Sequence, residues 1–149
     1  MANRSQQQEM GTLVGVISDT HGMLRPEAIE ALTGSQVILH AGDIGKPEVL
    51  QGLQAIAPTI AVRGNNDQGV WVETIPESET VEIENVQIHL LHIIKELTFD
   101  PKETGVRIVI SGHSHKPLIQ ERDGVLFLLT RQLLFLHILE LRHDCVGCC

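Results

Sequence analysis

Asp19-Thr20-His21, Gly42-Asp43, Gly64-Asn65-Asn66-Asp67, His92 and Gly112-His113-Ser114-His115 are five polar clusters, each placed behind a short apolar run. They follow one another at about 20–27 residues, the length of one strand plus its crossover. Parallel strands bring their carboxyl ends to one edge of a sheet, and ligands bind at that edge. Clusters this far apart in the chain can therefore meet in one place. What would meet is Asp19, Asp43, Asn65 and the four histidines His21, His92, His113 and His115. These are hard and borderline donors, suited to divalent cations.

The spacing within the clusters supports that chemistry. Side chains alternate along a strand, so Asp19-x-His21 and His113-x-His115 each place two donors on one face. Asp43 follows Gly42, which allows a sharp backbone turn, and a carboxylate there can bridge two cations. Asn65 offers a neutral carbonyl oxygen. Asp67 is better placed to meet substrate or solvent than to bind a metal. Two cations roughly 3.5–4 Å apart can clamp a phosphate and activate a water for in-line attack. Singly, each cluster could be a helix cap or a surface turn; it is the joint order that points to a metal site. His40 and His89 lie inside strand patterns and read as core or face residues. His137 and His143 carry no site expectation.

The elements that must position these groups can be read from the apolar runs. Leu13 to Ser18, Val37 to His40 and Thr59 to Val62 are strands, the first of them continuously apolar, as expected where both faces are covered. Pro26 and Pro47 each open a helix at its first turn, and Gly34 ends the first one. A β-α-β-α-β order implies a parallel sheet. The pattern then changes. Val81 to Ile83 and Val86 to Leu91 read as a hairpin around Glu84-Asn85. Val106 to Ser111 is another buried strand. Leu118 to Gln120 and Val125 to Leu128 form a second hairpin around Asp123-Gly124. Parallel and antiparallel parts thus coexist, which implies two sheets.

With 149 residues, 42% hydrophobic and 20% charged, the chain reads as one globular domain with a real core. The net charge of −8 argues against broad binding to nucleic-acid backbone, though bound cations would invert the field locally for a small phosphate ester. No apolar run is long enough for a membrane span. Met1 to Gln8 is polar and lacks the apolar core of a signal peptide, so residues 1–10 read as a disordered lead-in and the cytoplasm is the expected compartment. All three cysteines, Cys145, Cys148 and Cys149, lie in the last five residues, which is no disulfide framework.

In these motifs the chain resembles the calcineurin-like metallophosphoesterases, and within them the small bacterial and archaeal phosphodiesterase branch that also contains the retromer's metallophosphoesterase-like subunit. The family pattern D-x-H, G-D, G-N-x-D/H, a lone His and G-H-x-H stands here as Asp19-Thr20-His21, Gly42-Asp43, Gly64-Asn65-Asn66-Asp67, His92 and Gly112-His113-Ser114-His115. The resemblance implies an α/β fold, a two-sheet α-β-β-α sandwich with mixed sheets. It implies that Asp19, His21 and His115 hold one metal, that Asn65, His92 and His113 hold a second, and that Asp43 bridges them. Asp67 would sit near the substrate and leaving group, with Asn65 and His92 also serving catalysis. It further implies two divalent metal ions, manganese foremost, with magnesium, iron, zinc or nickel as alternatives, and hydrolysis of phosphodiesters or monoesters.

Two departures from the pattern set further expectations. Ile93 and Ile94 follow His92 where glycine is usual, so the backbone is expected to bend differently there and the loop to Pro101 to shape the pocket. After Leu128 the family usually has Asn-Pro-Gly-Ser and further strands closing the second sheet. Here Leu129-Thr130-Arg131-Gln132 is followed by a Leu-rich, Cys-ended stretch, so the domain is expected to span 11–129 with an atypical tail at 130–149. Codons for Thr-Arg-Gln read one base later can spell Pro-Gly-Ser, which makes a frameshift a candidate origin of that tail. Missing strands would leave a sheet edge open to homo-oligomer contact, unless the Leu-rich tail pairs there.

The leading expectation is a metal-dependent phosphodiesterase acting on a small phosphodiester. The alternatives are a catalytically silent protein-binding scaffold of the same fold and a damaged product that folds poorly. All four ligand histidines are kept, which favours the enzyme.

Overall fold

The computed structural model describes residues 11–114, 117–130, 133–138 and 145–146. Strand β1 (Thr12–Ile17), helix α1 (Pro26–Leu32), strand β2 (Val37–His40), helix α2 (Pro47–Gln54) and strand β3 (Thr59–Ala61) come first. β1, β2 and β3 pair in parallel, in that order. Both helices open on proline, whose missing N–H costs nothing at a first turn. α1 closes where the Thr33 N–H turns back to the carbonyls of Ile29 and Glu30. α2 buries Val49 and Leu53, one turn apart on one face.

The second sheet holds β4 (Ser78–Ile83), β5 (Val86–Leu91), β6 (Val106–Ser111), β7 (Leu118–Arg122) and β8 (Val125–Leu129), ordered β4-β5-β6-β8-β7. Short helix α3 (Pro101–Thr104) leads into β6. The β4–β5 hairpin turns on Glu84 and Asn85, with φ of 52° and 64°. Positive φ at both central residues is what a two-residue hairpin turn needs to match strand twist. Asp123 and Gly124 meet the same demand between β7 and β8. β6 pairs in parallel with both β5 and β8, so this sheet is mixed, as the sequence implied.

Three apolar layers hold the α-β-β-α sandwich together. Val14, Val16, Leu39, Ile88, Leu90, Ile108, Ile110 and Leu128 fill the space between the sheets. Leu32, Val49 and Leu53 cover the outer face of the first sheet against Ile17 and Ile38. On the outer face of the second sheet, Ile94, Leu97 and Phe99 pack on Leu91, Val106, Val109 and Val125. The loop after His92 thus supplies this outer layer. Ile93 sits there at φ −116° and ψ 115°, an extended conformation that a β-branched residue adopts without cost, so no glycine is required at that turn.

The Leu-rich segment after the second hairpin builds a strand. β9 (Leu133–Ile138) runs antiparallel to β1, with register partners from Thr12–Ile138 to Ile17–Leu133, and β10 (Cys145–Val146) pairs on its far side. The strand closes the first sheet. Leu134, Leu136 and Ile138 enter the layer between the sheets, while Leu133 and Phe135 join the helix-covered face. Apolar residues on both faces, Leu134, Leu136 and Ile138 on one and Leu133 and Phe135 on the other, suit a strand covered on both sides. The lead-in at 1–10 and residues 131–132, 139–144 and 147–149 lie outside the described residues.

Among the described residues, the second sheet is left with two edge strands, β4 and β7. β7 is exposed throughout, and both edges carry charge, Glu79 and Glu82 on one and Glu121 and Arg122 on the other. Charged edges discourage edge-to-edge pairing. If β9 is a core strand, Leu136→Ala lowers the unfolding free energy by about 2–5 kcal/mol in urea denaturation. Gln120→Ala on exposed β7 stays within about 0.5 kcal/mol. Equal, small effects would remove β9 from the core.

Candidate metal centre

The loops leaving β1 and β2 run side by side beyond the ends of their strands. The N–H groups of Asp19, His21 and Gly22 donate to the carbonyls of Gly42, Asp43 and Ile44, at 2.9, 3.0 and 2.7 Å. The second sheet is tied in similarly: Gly112 N–H donates to His92 C=O at 3.0 Å and Thr130 N–H to Ser111 C=O at 2.9 Å. Between the sheets, His113 N–H donates to Asp19 Oδ2 at 3.2 Å.

This backbone frame gathers two sets of donor atoms. Asp19, His21 and Asp43 form one, and Asp43, His92 and His113 the other; within each set the ligand atoms lie within 4.8 Å of one another. Asp43 belongs to both. Four of these five residues hold left-handed backbone angles: Asp19 (φ 55°), His21 (φ 49°), Asp43 (φ 57°) and His113 (φ 69°). Each such residue costs on the order of 1–3 kcal/mol and persists only where its surroundings over-determine it. Asp and His tolerate the region better than most side chains. The strain is thus concentrated where the donors converge.

His92 is the most informative member. It is 3% exposed. Its Nδ1–H donates to the Ala41 carbonyl at 2.7 Å. That leaves Nε2 buried and without a hydrogen-bond partner. It faces Asp43 Oδ2 at 3.3 Å and Asp19 Oδ1 at 3.9 Å. A neutral imidazole in this tautomer would aim a bare lone pair at two carboxylates, which is unfavourable unless positive charge sits among them. A divalent cation fits: a histidine that binds metal typically donates its other ring N–H to a backbone carbonyl, fixing tautomer and orientation. The His113 ring stands edge-on to His92, with centroids 5.2 Å apart.

The two carboxylates are held to match. Ser18 Oγ–H donates to Asp19 Oδ2 at 2.7 Å, joining the His113 N–H on that oxygen and leaving Oδ1 toward His92. Asp43 accepts the Asn66 N–H on Oδ1 and the Asn66 side-chain N–H on Oδ2, each at 3.1 Å. Two glycines make room. A Cβ on Gly42, at φ 101°, would stand 2.6 Å from His92 Nδ1, and one on Gly64 would collide with the Asp43 carboxylate.

Asp67 is 8% exposed. It accepts three backbone N–H groups, from Gly64 (2.8 Å), Ile44 (3.1 Å) and Gly45 (2.8 Å). Both its oxygens are therefore committed to fastening the loop after β3 to the loop after β2. Asn65 is exposed at the turn that this carboxylate closes. His115 lies outside the described residues. Sequence reasoning missed Asn66 as a partner of Asp43; its only signal was adjacency to Asn65.

It also missed the second task of His40. This residue is fully buried at the end of β2. Gly42 N–H donates to its Nδ1 at 3.1 Å, so its Nε2–H donates to Thr20 Oγ1 at 2.9 Å, and that hydroxyl donates to Ile44 C=O at 2.9 Å. The chain of bonds braces the Asp19–His21 loop from behind and requires a neutral ring. Burial, with a smaller push from His92, drives the His40 pKa down to about 3, against an opposing pull from Asp43. His89 is lowered by burial as well, and pairs with Thr80 Oγ1 at 2.7 Å and edge-on with Phe99.

An acid sensitivity follows. Unfolded, His40 takes up a proton near its ordinary value of about 6.5; folded, it resists down to about 3. Within that window the unfolded state binds the extra proton, so stability falls as pH falls. Replacing His40 with Gln removes up to about 1.4 kcal/mol per pH unit of that slope, read by urea unfolding at a series of pH values from about 7 to about 4. An unchanged slope would mean the folded protein protonates His40 readily.

Comparisons with known proteins bear on the family and the fold. A model described as the calcineurin-like phosphoesterase superfamily domain matches residues 12–130. A "probable metallophosphoesterase" of Methanothermobacter thermautotrophicus is 38% identical over 128 residues, 78% of this chain and 74% of that relative. The solved structure of an archaeal phosphodiesterase superposes with a TM-score of 0.72 at 25% identity, covering 83% of this chain and 92% of the other. Vacuolar Protein Sorting 29 of Cryptosporidium parvum superposes at 0.75 with 21% identity, covering 87% and 86%, a likeness of fold. Since the family model runs from β1 to the residue after β8, this chain belongs to the calcineurin-like phosphoesterase superfamily.

Proposed function

We propose that the protein is a metal-dependent phosphodiesterase with a dinuclear centre. The observation that carries this reading is the pair of donor sets sharing Asp43, with the unpartnered Nε2 of His92 buried between two carboxylates. Asp19 and His21, with His115, would hold one cation; His92 and His113, with Asn65, would hold the other; Asp43 would serve both. Manganese is the first choice of metal, with magnesium, iron, zinc and nickel open to the same donors. Two such cations, when bound, would supply the charge and Lewis acidity that activate water and neutralise phosphoryl oxygens.

The chain's own residues supply the rest. Asn65, exposed in the loop after β3, would give its carbonyl oxygen to the cation and keep its amide N–H for a phosphoryl oxygen. His92, with its Nδ1–H on Ala41, keeps its orientation fixed and its Nε2 presented. Asp67 serves catalysis through the two loops it joins: with both oxygens on backbone N–H groups, it positions Asp43 and Asn66.

A second reading, a protein-binding scaffold with a silent site, draws on β7. This edge strand is exposed along its length and presents Leu118 and Ile119, 46% and 52% exposed.

The deciding assay is manganese-dependent hydrolysis of bis(p-nitrophenyl) phosphate by the wild type beside Asp43→Asn. Turnover is expected in the wild type. The substitution at the shared ligand should cost more than the roughly 10–100-fold typical of groups outside the ligand shell. Folded, metal-loaded wild type that releases no p-nitrophenolate would transfer the reading to the scaffold.

A further inference from the structure

Beside the candidate metal centre, the end of β1, the loop to α1, the first turn of α1 and the start of β9 line a half-open cavity of about 640 Å³. That is within the usual size of small-molecule sites. Asp19 and His21 form one wall, so the cavity opens onto the same donors. The apolar part of the lining is made by Ile17, Met23, Leu24, Ala28 and Leu133. Arg25 and Glu27 supply its charged lining. Leu24, Ala28 and Leu133 continue the apolar layer behind the first sheet, so the apolar lining is backed by core. Met23 is 61% exposed, an unbranched, adaptable apolar side chain left in solvent next to charged donors. Among the described residues, the only ring lining the cavity is that of His21, which belongs to a donor set, so a nucleobase finds no Phe, Tyr or Trp to stack on.

We propose that this cavity takes an aliphatic ester group of the substrate, and that the preferred substrates are phosphodiesters with one hydrophobic arm rather than nucleotides. The inference rests on the phosphodiesterase reading above. With the phosphoryl group at Asp19 and His21, one ester arm lies against Met23, Leu24 and Leu133, where each buried methylene adds binding. The other arm leaves toward solvent.

The test uses three p-nitrophenyl phosphodiesters that share one leaving group and differ in the second ester: methyl, hexyl and thymidine 5′. The hexyl ester is expected to exceed the methyl ester in kcat/KM by about tenfold or more, and the thymidine ester to fall below the hexyl. Met23→Ser, a change at an exposed position, should cut the hexyl-to-methyl ratio severalfold. Equal kcat/KM for methyl and hexyl, or a preference for the thymidine ester, overturns the inference while leaving the phosphodiesterase reading intact. If none of the three is turned over, that reading fails, and the cavity is judged by binding alone. The Met23 methyl NMR signal, in the presence of magnesium, should then move with hexylphosphonate and not with methylphosphonate. A signal that ignores hexylphosphonate overturns the inference.

Discussion

Everything in this fold answers to one electrostatic difficulty: two carboxylates and a buried imidazole lone pair aimed at nearly the same point. Asp43 Oδ2 stands 3.3 Å from His92 Nε2, with Asp19 Oδ1 at 3.9 Å. No flexible loop would hold such groups together, since each would turn away to water. The protein removes that freedom by hydrogen-bonding each group: Asp19 Oδ2 to Ser18 and the His113 N–H, both Asp43 oxygens to Asn66, His92 Nδ1 to Ala41. What stays unmatched is directed inward. Such an arrangement is bought with left-handed backbone at four donors, and it makes sense only if a cation repays the strain.

The sandwich provides the rigidity. Asp19 follows a strand with neighbours on both sides, because β9 and β2 flank β1. His92 and Gly112 extend the paired strands β5 and β6, and Gly112 N–H bonds to His92 C=O as though the ladder continued. Asp67 then does for the β2 and β3 loops what no side chain of a polar turn could do alone. One carboxylate fixes three N–H groups, and hydrogen bonds to a charged acceptor are worth roughly 1.5–3 kcal/mol each. The glycines at 42 and 64 follow from this compactness, since a Cβ at either position would run into His92 or Asp43.

Much of this was legible in the residues. The apolar runs placed β1, β2, β5, β6 and β8 because strands buried on both faces need unbroken hydrophobicity, and the prolines placed the starts of α1 and α2. The donor clusters were legible as polar groups behind apolar strands, but strand alternation does not explain how they meet: Asp19, His21 and His113 lie past the strand ends in left-handed backbone. Less was legible where a role depends on what faces a residue across space. His40 reads as a core histidine and is one, yet its tautomer and its grip on Thr20 come from a loop that is remote in sequence. Asp67 reads as a carboxylate in a turn that could face a substrate; only the fold brings the N–H groups of Ile44 and Gly45 to it. The segment after Leu129 departs from the family pattern, and its partner could not be named from sequence. Its apolar residues at successive positions suit any strand covered on both faces, and the free edge of β1 was the place that offered such cover.

The chain's acidity bears on the anionic substrate proposed for it. A net charge of −8 would repel a phosphodiester if it acted at long range. Charges more than about 8 Å away are largely screened at physiological salt. Acidic side chains on the edge strands, Glu79, Glu82 and Glu121, sit on the two outer strands of the second sheet. Within the proposed centre the balance is local and opposite in sign. Two divalent cations set against the carboxylates of Asp19 and Asp43 leave an excess of positive charge, because the histidine donors and Asn65 bring none of their own. A donor set with more carboxylates would cancel that excess and hold the metals without attracting phosphate. In the proposed centre, neutral imidazoles for most of the ligands would let an acidic protein present a positive site, and would tie the tautomer of His92, fixed by a single bond to Ala41, to the recognition of an anion.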